Sequence, residues 1–168
     1  MKKGFTMIEL LVVIGIIVIF TGILLPNYRS GNRNLALQRS VHKLSQDIRR
    51  AQGFAISAKE FNGQSPDGYG VYFDSNNPTK YIIFADLNND DLYSGPSELV
   101  ETVNMETQVS IKSIYPNINS TLTIFFSPPD PTVIFTPNST STATVILTAP
   151  DSPDTSVHAN EAGLIYVD

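Results

Sequence analysis

The residues best equipped for chemistry lie in Asp86-Leu87-Asn88-Asn89-Asp90-Asp91-Leu92-Tyr93-Ser94-Gly95-Pro96-Ser97-Glu98. Carboxylate and amide oxygens at Asp86, Asn88 and Asp90 alternate as the first ligands of a calcium loop do, with Leu92 offering a carbonyl and Glu98 a closing carboxylate. The fit to an EF-hand is incomplete. Asp91 stands where the turn glycine belongs, and Ser97, not Glu98, holds the closing position. An acidic hairpin turn accounts for the same residues, because Asn and Asp side chains bond their own backbone in turns. The candidate ligands are therefore Asp86, Asn88, Asp90 and Glu98, with Ca2+ the one cofactor suggested and none required. Catalysis has no comparable support. His42 falls in a helical stretch and His158 in a late loop, and neither is spaced to an acid or serine as a triad would be. There is no His-Glu-x-x-His and no glycine-rich phosphate loop. The chain has no cysteine, which removes thiol chemistry and disulfides and leaves the redox compartment open. No enzymatic activity is expected.

One further acid is oddly placed. Glu9 lies within Phe5 to Leu25, a run of 21 residues with no other charge. As a helix that run rises roughly 30 Å, enough to cross a bilayer, and a carboxylate near its end costs on the order of a few kcal/mol in lipid. Three readings compete. A secretory signal peptide suits the basic start but lacks a small-x-small cleavage site near Pro26-Asn27-Tyr28. A plain membrane anchor accounts for the length and for Lys2 and Lys3, but not for Glu9. The third is a prepilin leader: Lys2-Lys3-Gly4 followed by Phe5-Thr6-Met7-Ile8-Glu9-Leu10-Leu11-Val12-Val13-Ile14-Gly15-Ile16 resembles the type IV prepilin amino terminus nearly residue for residue.

That resemblance implies that a dedicated prepilin peptidase cuts between Gly4 and Phe5 and that Phe5 becomes the N-methylated first residue. Glu9 can then meet the positive amino group of Phe5 on a neighbouring copy, since two groups that are each costly in lipid offset one another when paired. Lys2 and Lys3 place the amino terminus in the cytoplasm, and everything beyond Pro26 on the other side of an inner membrane, periplasmic or extracellular.

The elements that must position these residues follow in order. Residues 1–4 read as leader, 5–25 as a transmembrane helix, 26–60 as an amphipathic continuation, and 61–168 as a β-rich domain. Pro26 lacks a donor and is expected to kink or locally melt the helix. Beyond it Leu37, Val41, Leu44, Ile48, Ala51, Ala55 and Ala58 form one apolar stripe at helical period. Arg39, Lys43, Arg49 and Arg50 fill other faces and read as a solvated surface. After the Gln64-to-Gly68 turn cluster, short β-rich runs are expected at Tyr69–Phe73, Tyr81–Ala85, Leu99–Val103, Val109–Ile114, Leu122–Phe126, Val133–Thr136, Thr144–Leu147 and Leu164–Val167. Their aromatics read as core. The polar stretches Thr136–Thr142 and Pro150–Asp154 read as exposed loops. One long helix followed by eight short strands is an α+β layout, and the short connections favour antiparallel pairing.

The order of helix, Gly-Tyr-Gly-Val-Tyr-Phe, Tyr-Ile-Ile-Phe-Ala-Asp, late hairpin and terminal Gly-Leu-Ile-Tyr-Val resembles the H-type minor pseudopilins and related minor pilins. This second resemblance implies a pilin fold, with an antiparallel β-sandwich packed on the carboxyl half of the helix. It further implies other pilin or pseudopilin subunits, a platform protein and an assembly ATPase as partners, in a type II secretion pseudopilus. A minor pilin of a type IV pilus is the alternative, serving to prime assembly, in adhesion, motility or DNA uptake. A monomeric tethered adhesin or sensor is another. Nucleic acid is not an expected partner: the net charge is −5, and residues 61–168 hold Lys80 and Lys112 as their only cations.

Overall fold

A threonine three residues ahead of a glutamate starts the helix. Thr6 is the N-cap of α1 (Met7–Ile56): its Oγ1 accepts a bond from the Glu9 amide at 3.3 Å, and Glu9 Oε2 accepts one from the Thr6 amide at 2.8 Å. This is a capping box. The computed structural model describes residues 4–117, 119–128, 132–137 and 140–168, the side chains of 24–30 excepted. Met1 to Lys3 of the expected leader, the Pro26 side chain, and Asn138 and Ser139 of one polar loop lie outside the described residues.

The 50 residues of α1 run roughly 75 Å. The backbone stays helical through Pro26, so the expected melted turn does not form. Proline in a helix interior costs about 3 kcal/mol, and the helical turns on both sides of Pro26 carry the backbone through it. Among the described residues no helix is long and apolar enough to cross a membrane. The apolar side chains described run from Met7 to Ile23, just short of the roughly 20 residues that a span needs. The expected span over residues 5–25 therefore rests on the sequence, whose apolar run continues through Leu24 and Leu25.

The second half of α1 is covered. Leu37, Val41, Leu44, Ile48, Ala51 and Ala55 are all at most 2% exposed, as the stripe predicts. Ala58 departs from it. The helix has ended at Ile56, and Ala58 is exposed with a left-handed φ of 43°.

Two antiparallel sheets pack with this half-helix. The larger has the order β3 (Leu99–Asn104), β2 (Lys80–Asp86), β1 (Gly68–Asp74), β5 (Thr121–Ser127), β6 (Thr132–Thr136). The smaller runs β4 (Ser110–Tyr115), β7 (Thr142–Thr148), β8 (Thr155–Asn160), β9 (Ile165–Val167). α1 touches β1 and β5 of the first sheet and β7, β8 and β9 of the second. Period-two alternation puts Tyr69, Val71 and Phe73 on the inner face of β1. They share one core with Leu44 and Ile48 of the helix and with Val145, Leu147 and Val157 of the smaller sheet. The α+β expectation therefore holds, with one strand more than expected among the described residues. β8 lies just after the Pro150–Asp154 loop, and it carries His158, which belongs to a strand and not to a loop. Its only apolar inward residues are Val157 and Ala159, too weak an alternation to stand out.

The outer face of the larger sheet holds a second, smaller apolar layer. Phe84 and Phe125 stack there at 6.3 Å between centroids, over the glycines of β1. A Cβ on Gly70 would come within 2.5 Å of the Phe84 ring, and one on Gly68 within 2.4 Å of Phe125. The Gly-Tyr-Gly spacing is thus what lets two aromatic rings lie flat on the sheet.

Candidate functional site

Two places concentrate polar function: the start of α1 and the loop between β2 and β3. At the first, Glu9 Oε2 takes bonds from both the amide and the hydroxyl of Thr6, each at 2.8 Å, which leaves Oε1 free of them. Around it Phe5, Ile8, Val12 and Val13 line a shallow apolar concavity with Glu9. From Met7 to Ile23 the large apolar side chains are all exposed, Met7 at 92% and Phe20 at 61%. Nothing among the described residues of the β domain covers them. Gly4 and Phe5, the expected cleavage pair, lie outside regular secondary structure just before the cap. The Thr-x-x-Glu pattern was readable as a capping box, so Glu9 has a local partner that an isolated reading of the acid misses.

In the β2–β3 loop the chain brings Asp86, Asn88, Asp90 and Glu98 together, and backbone amides take most of their oxygens. Asp86 is fully buried. Its Oδ1 accepts from the amides of Asn88 (3.1 Å) and Asn89 (2.8 Å), and its Oδ2 from Asp91 (2.9 Å). Asp90 accepts from the Leu92 amide at 2.9 Å and the Ser94 hydroxyl at 2.6 Å, with Asn88 Nδ2 also in reach at 2.9 Å. Glu98, at 2% exposure, accepts from the amides of Leu87 (3.4 Å) and Ser94 (2.8 Å). Asp91 has a φ of 60°, the left-handed conformation that a turn glycine would supply, which explains how the loop closes without one. Among the described residues no three His, Asp or Glu side chains form a group able to hold a metal ion. Tyr93 pins the loop from below, with its ring 5.6 Å from Tyr72 and 5.9 Å from Phe84.

The electrostatics of the loop are uneven. The Ser94 hydroxyl, backed by the Leu92 amide and the Asn88 side chain, holds the Asp90 carboxyl below its usual range. Burial pushes Asp91 up, and the negative charges of Asp86, Asp90 and Asp67 add to the shift.

The basic residues on α1 are solvent-facing as expected, with Arg39, Lys43 and Arg49 exposed and Arg50 half-exposed, but the arginines also bond the β domain. Arg39 grips Glu106 with two bonds of 2.8 Å. Arg50 bonds Glu101 at 2.6 Å, Arg49 bonds the Ile165 carbonyl at 2.8 Å, and Arg33 meets Gln108 and Asp151. These side chains fasten the β domain along the helix. Between α1 and the β3–β4 connection they leave a groove of about 670 Å3 lined by Asn32, Arg33, Arg39, Met105, Glu106 and Gln108. The β-domain acids that receive them lie 51 to 118 residues away in the chain, so no spacing rule could have paired those.

With this geometry in place, comparison with known proteins adds one match. Residues 1–25 match the family described as the prokaryotic N-terminal methylation motif. Neither a curated protein nor a solved structure matches the chain. The motif supports a type IV pilin-like chain: a membrane-anchored precursor, methylated at its amino terminus, that meets a prepilin peptidase and assembles with other pilin subunits.

Proposed function

We propose that the chain is a minor pseudopilin, a structural subunit of a type II secretion pseudopilus that supports protein secretion. One observation carries the reading: among the described residues, the first third of a 75 Å helix, Met7 to Ile23, displays an apolar surface that the described β domain leaves uncovered, with a single acid, Glu9, near its start. Such a surface is unstable in water. It is stored in a bilayer as residues 5–25 of an inner-membrane precursor, then buried against the same segment of neighbouring subunits. On this reading the prepilin peptidase cuts between Gly4 and Phe5, Phe5 is methylated, and the two sheets form a sandwich that coats the filament. An assembly platform and its ATPase extract the subunit from the membrane. Glu9 has two duties. Oε2 caps its own helix, while Oε1 faces the new amino group of Phe5 on an adjacent chain.

The two duties separate experimentally. Glutamine can still accept a bond at the third helical position, so Glu9→Gln keeps the capping box but removes the charge. We expect Glu9→Gln to retain helix content by circular dichroism and Phe5 processing by mass mapping, and to lose incorporation into the filament by tenfold or more (about 1.4 kcal/mol). An intact Met1 in the wild-type chain would remove the pilin reading. Deleting the gene should stop export of folded substrates without loss of surface pili. The reverse result would assign the chain to a type IV pilus.

A further inference from the structure

One row of side chains crosses the smaller sheet from edge to edge on its outer face. The strand registers pair Tyr115 of β4 with Thr144 of β7, Thr144 with His158 of β8, and His158 with Tyr166 of β9. Directly paired residues point to the same side of a sheet. Their chain neighbours Ile114, Ala143, Val145, Val157, Ala159 and Ile165 fill the core, so all four residues of the row face outward. Three strand spacings put its ends roughly 14 Å apart.

The row is both held in place and open to solvent. Tyr166 stacks on the His158 ring, with 4.8 Å between centroids and 17° between planes, and His158 Nδ1 shares a 2.9 Å hydrogen bond with the Thr144 hydroxyl. Both neighbours thus fix the imidazole, and among the described residues its Nε2 has no hydrogen bond. Tyr115 is 60% and Tyr166 42% exposed, whereas every other aromatic side chain described in residues 61–168 is buried or half-buried. The two rings that the fold leaves in water stand in one row. Fixed charge is almost absent around them. Of the outward residues on these four strands only Lys112 carries one, and it bonds Asp154. Thr142, Ser156 and Asn160 add hydroxyls and an amide to the same face.

We propose that this row binds an uncharged glycan chain laid across the strands, with sugar rings stacked on Tyr115 and Tyr166 and sugar hydroxyls bonded to His158 and Thr144. The chemistry of the row selects that ligand. A sugar ring offers an apolar C–H face to an aromatic ring and a rim of hydroxyls to nearby donors and acceptors, and tyrosine matches both. It supplies rigid contact area at low entropy cost, and the imidazole and hydroxyl between the two rings set the register. The span suits a trisaccharide. Single-stranded nucleic acid also stacks on aromatics, but it needs a basic groove along its backbone. These strands hold no arginine, and their one outward lysine is already paired. The site stands independently of the subunit reading above.

The chain has two histidines, which makes the test direct. The full-length chain is isotope-labelled at histidine and held at about pH 8, where an ordinary imidazole is neutral, in a detergent without a sugar headgroup. Chitotriose, cellotriose and maltotriose are added in turn, each to tens of millimolar. At least one is expected to shift the His158 ring resonances in a saturable way and to leave those of His42, exposed on α1, in place. Tyr115→Ala should weaken that sugar about fivefold to tenfold, the loss of one stacking contact, with the melting temperature of the wild-type chain because the ring removed is exposed. Thr144→Val, which keeps a β-branched strand residue but frees the imidazole, should weaken it as well. No shift with any of the three sugars, or equal shifts at both histidines, would overturn the proposal. Unchanged affinity in Tyr115→Ala would overturn it too, since the ligand would not then span the row. So would tighter binding of a sulfated trisaccharide than of its neutral parent, which would assign the face to an anion. Shifts of His158 that follow protein concentration without sugar would assign it to a second copy. None of these results depends on Glu9 or on filament incorporation, so failure here leaves the subunit reading standing.

Discussion

Asp47 shows how a single hydrogen bond can fix a helix on a sheet. It sits on α1 at 7% exposure, and the Tyr81 hydroxyl on β2 donates to it at 2.6 Å. Arg50 lies 3.4 Å from the other carboxylate oxygen. Burial, joined by the Asp47 bond and charge, drives the Tyr81 phenol far above its usual range, so it remains a donor at every working pH. Tyr81→Phe removes that donor and leaves a buried carboxylate short of a partner. The expected loss is about 1–3 kcal/mol, read as a lower urea midpoint. A change below about 0.5 kcal/mol would mean that Arg50 swings in and takes the vacated oxygen. In the sequence Asp47 looks like one more polar residue beside an apolar stripe. Only the meeting of two distant segments turns it into a buried anchor.

At the scale of elements, the β2–β3 loop is a turn that carries its own scaffold. The buried carboxylates of Asp86 and Glu98 and the exposed one of Asp90 are bonded by amides and hydroxyls of the same loop, and Tyr93 closes it onto Phe84 and Tyr72. With those oxygens already engaged, millimolar calcium is expected to move the melting temperature of the chain by less than about 1 °C, against several degrees for a ligand bound at a hundred times its dissociation constant. A rise of several degrees that Glu98→Gln abolishes would instead show the oxygens turning inward onto the ion.

The alternate spacing of Asp86, Asn88 and Asp90 was plain in the sequence, as were α1 and eight strands, because period and turn residues are local signals. The partners were not. β1 lies between β2 and β5, and the β5 residues Leu122, Ile124 and Phe126 face the core beside residues some fifty positions earlier. β8 was missed because Val157 and Ala159 alone give too little alternation. The capping box at Thr6 and Glu9 was legible and shows that an acid in an apolar run need not wait for another chain to find a partner.

On the scale of the whole molecule, the helix and the sheets are joined by a core and by exposed ion pairs that pull in one direction, while Asp91 in the β2–β3 loop pushes in the other. pH separates the two. The bond from Arg39, aided by the charges of Arg39 and Lys43, holds Glu106 below its usual carboxyl range. A depressed folded-state value means that its contribution is fully present above the unfolded value of about 4.3, and is lost as pH falls through the folded value. Because the Glu106 side chain is 38% exposed, solvent screening keeps the effect modest. In detergent, Glu106→Gln should melt below the wild-type chain at pH 7 and together with it near pH 3. Asp91 has the opposite sign. Its raised value is a penalty on the folded state that is present at neutral pH and is relieved as pH falls through that value towards the unfolded one. Asp91→Asn, which asparagine's tolerance of positive φ permits, should therefore melt above the wild-type chain at pH 7 and lose that advantage in acid. If both variants shifted in the same direction at pH 7, the Arg39–Glu106 clamp and the β2–β3 loop could not be electrostatic opposites.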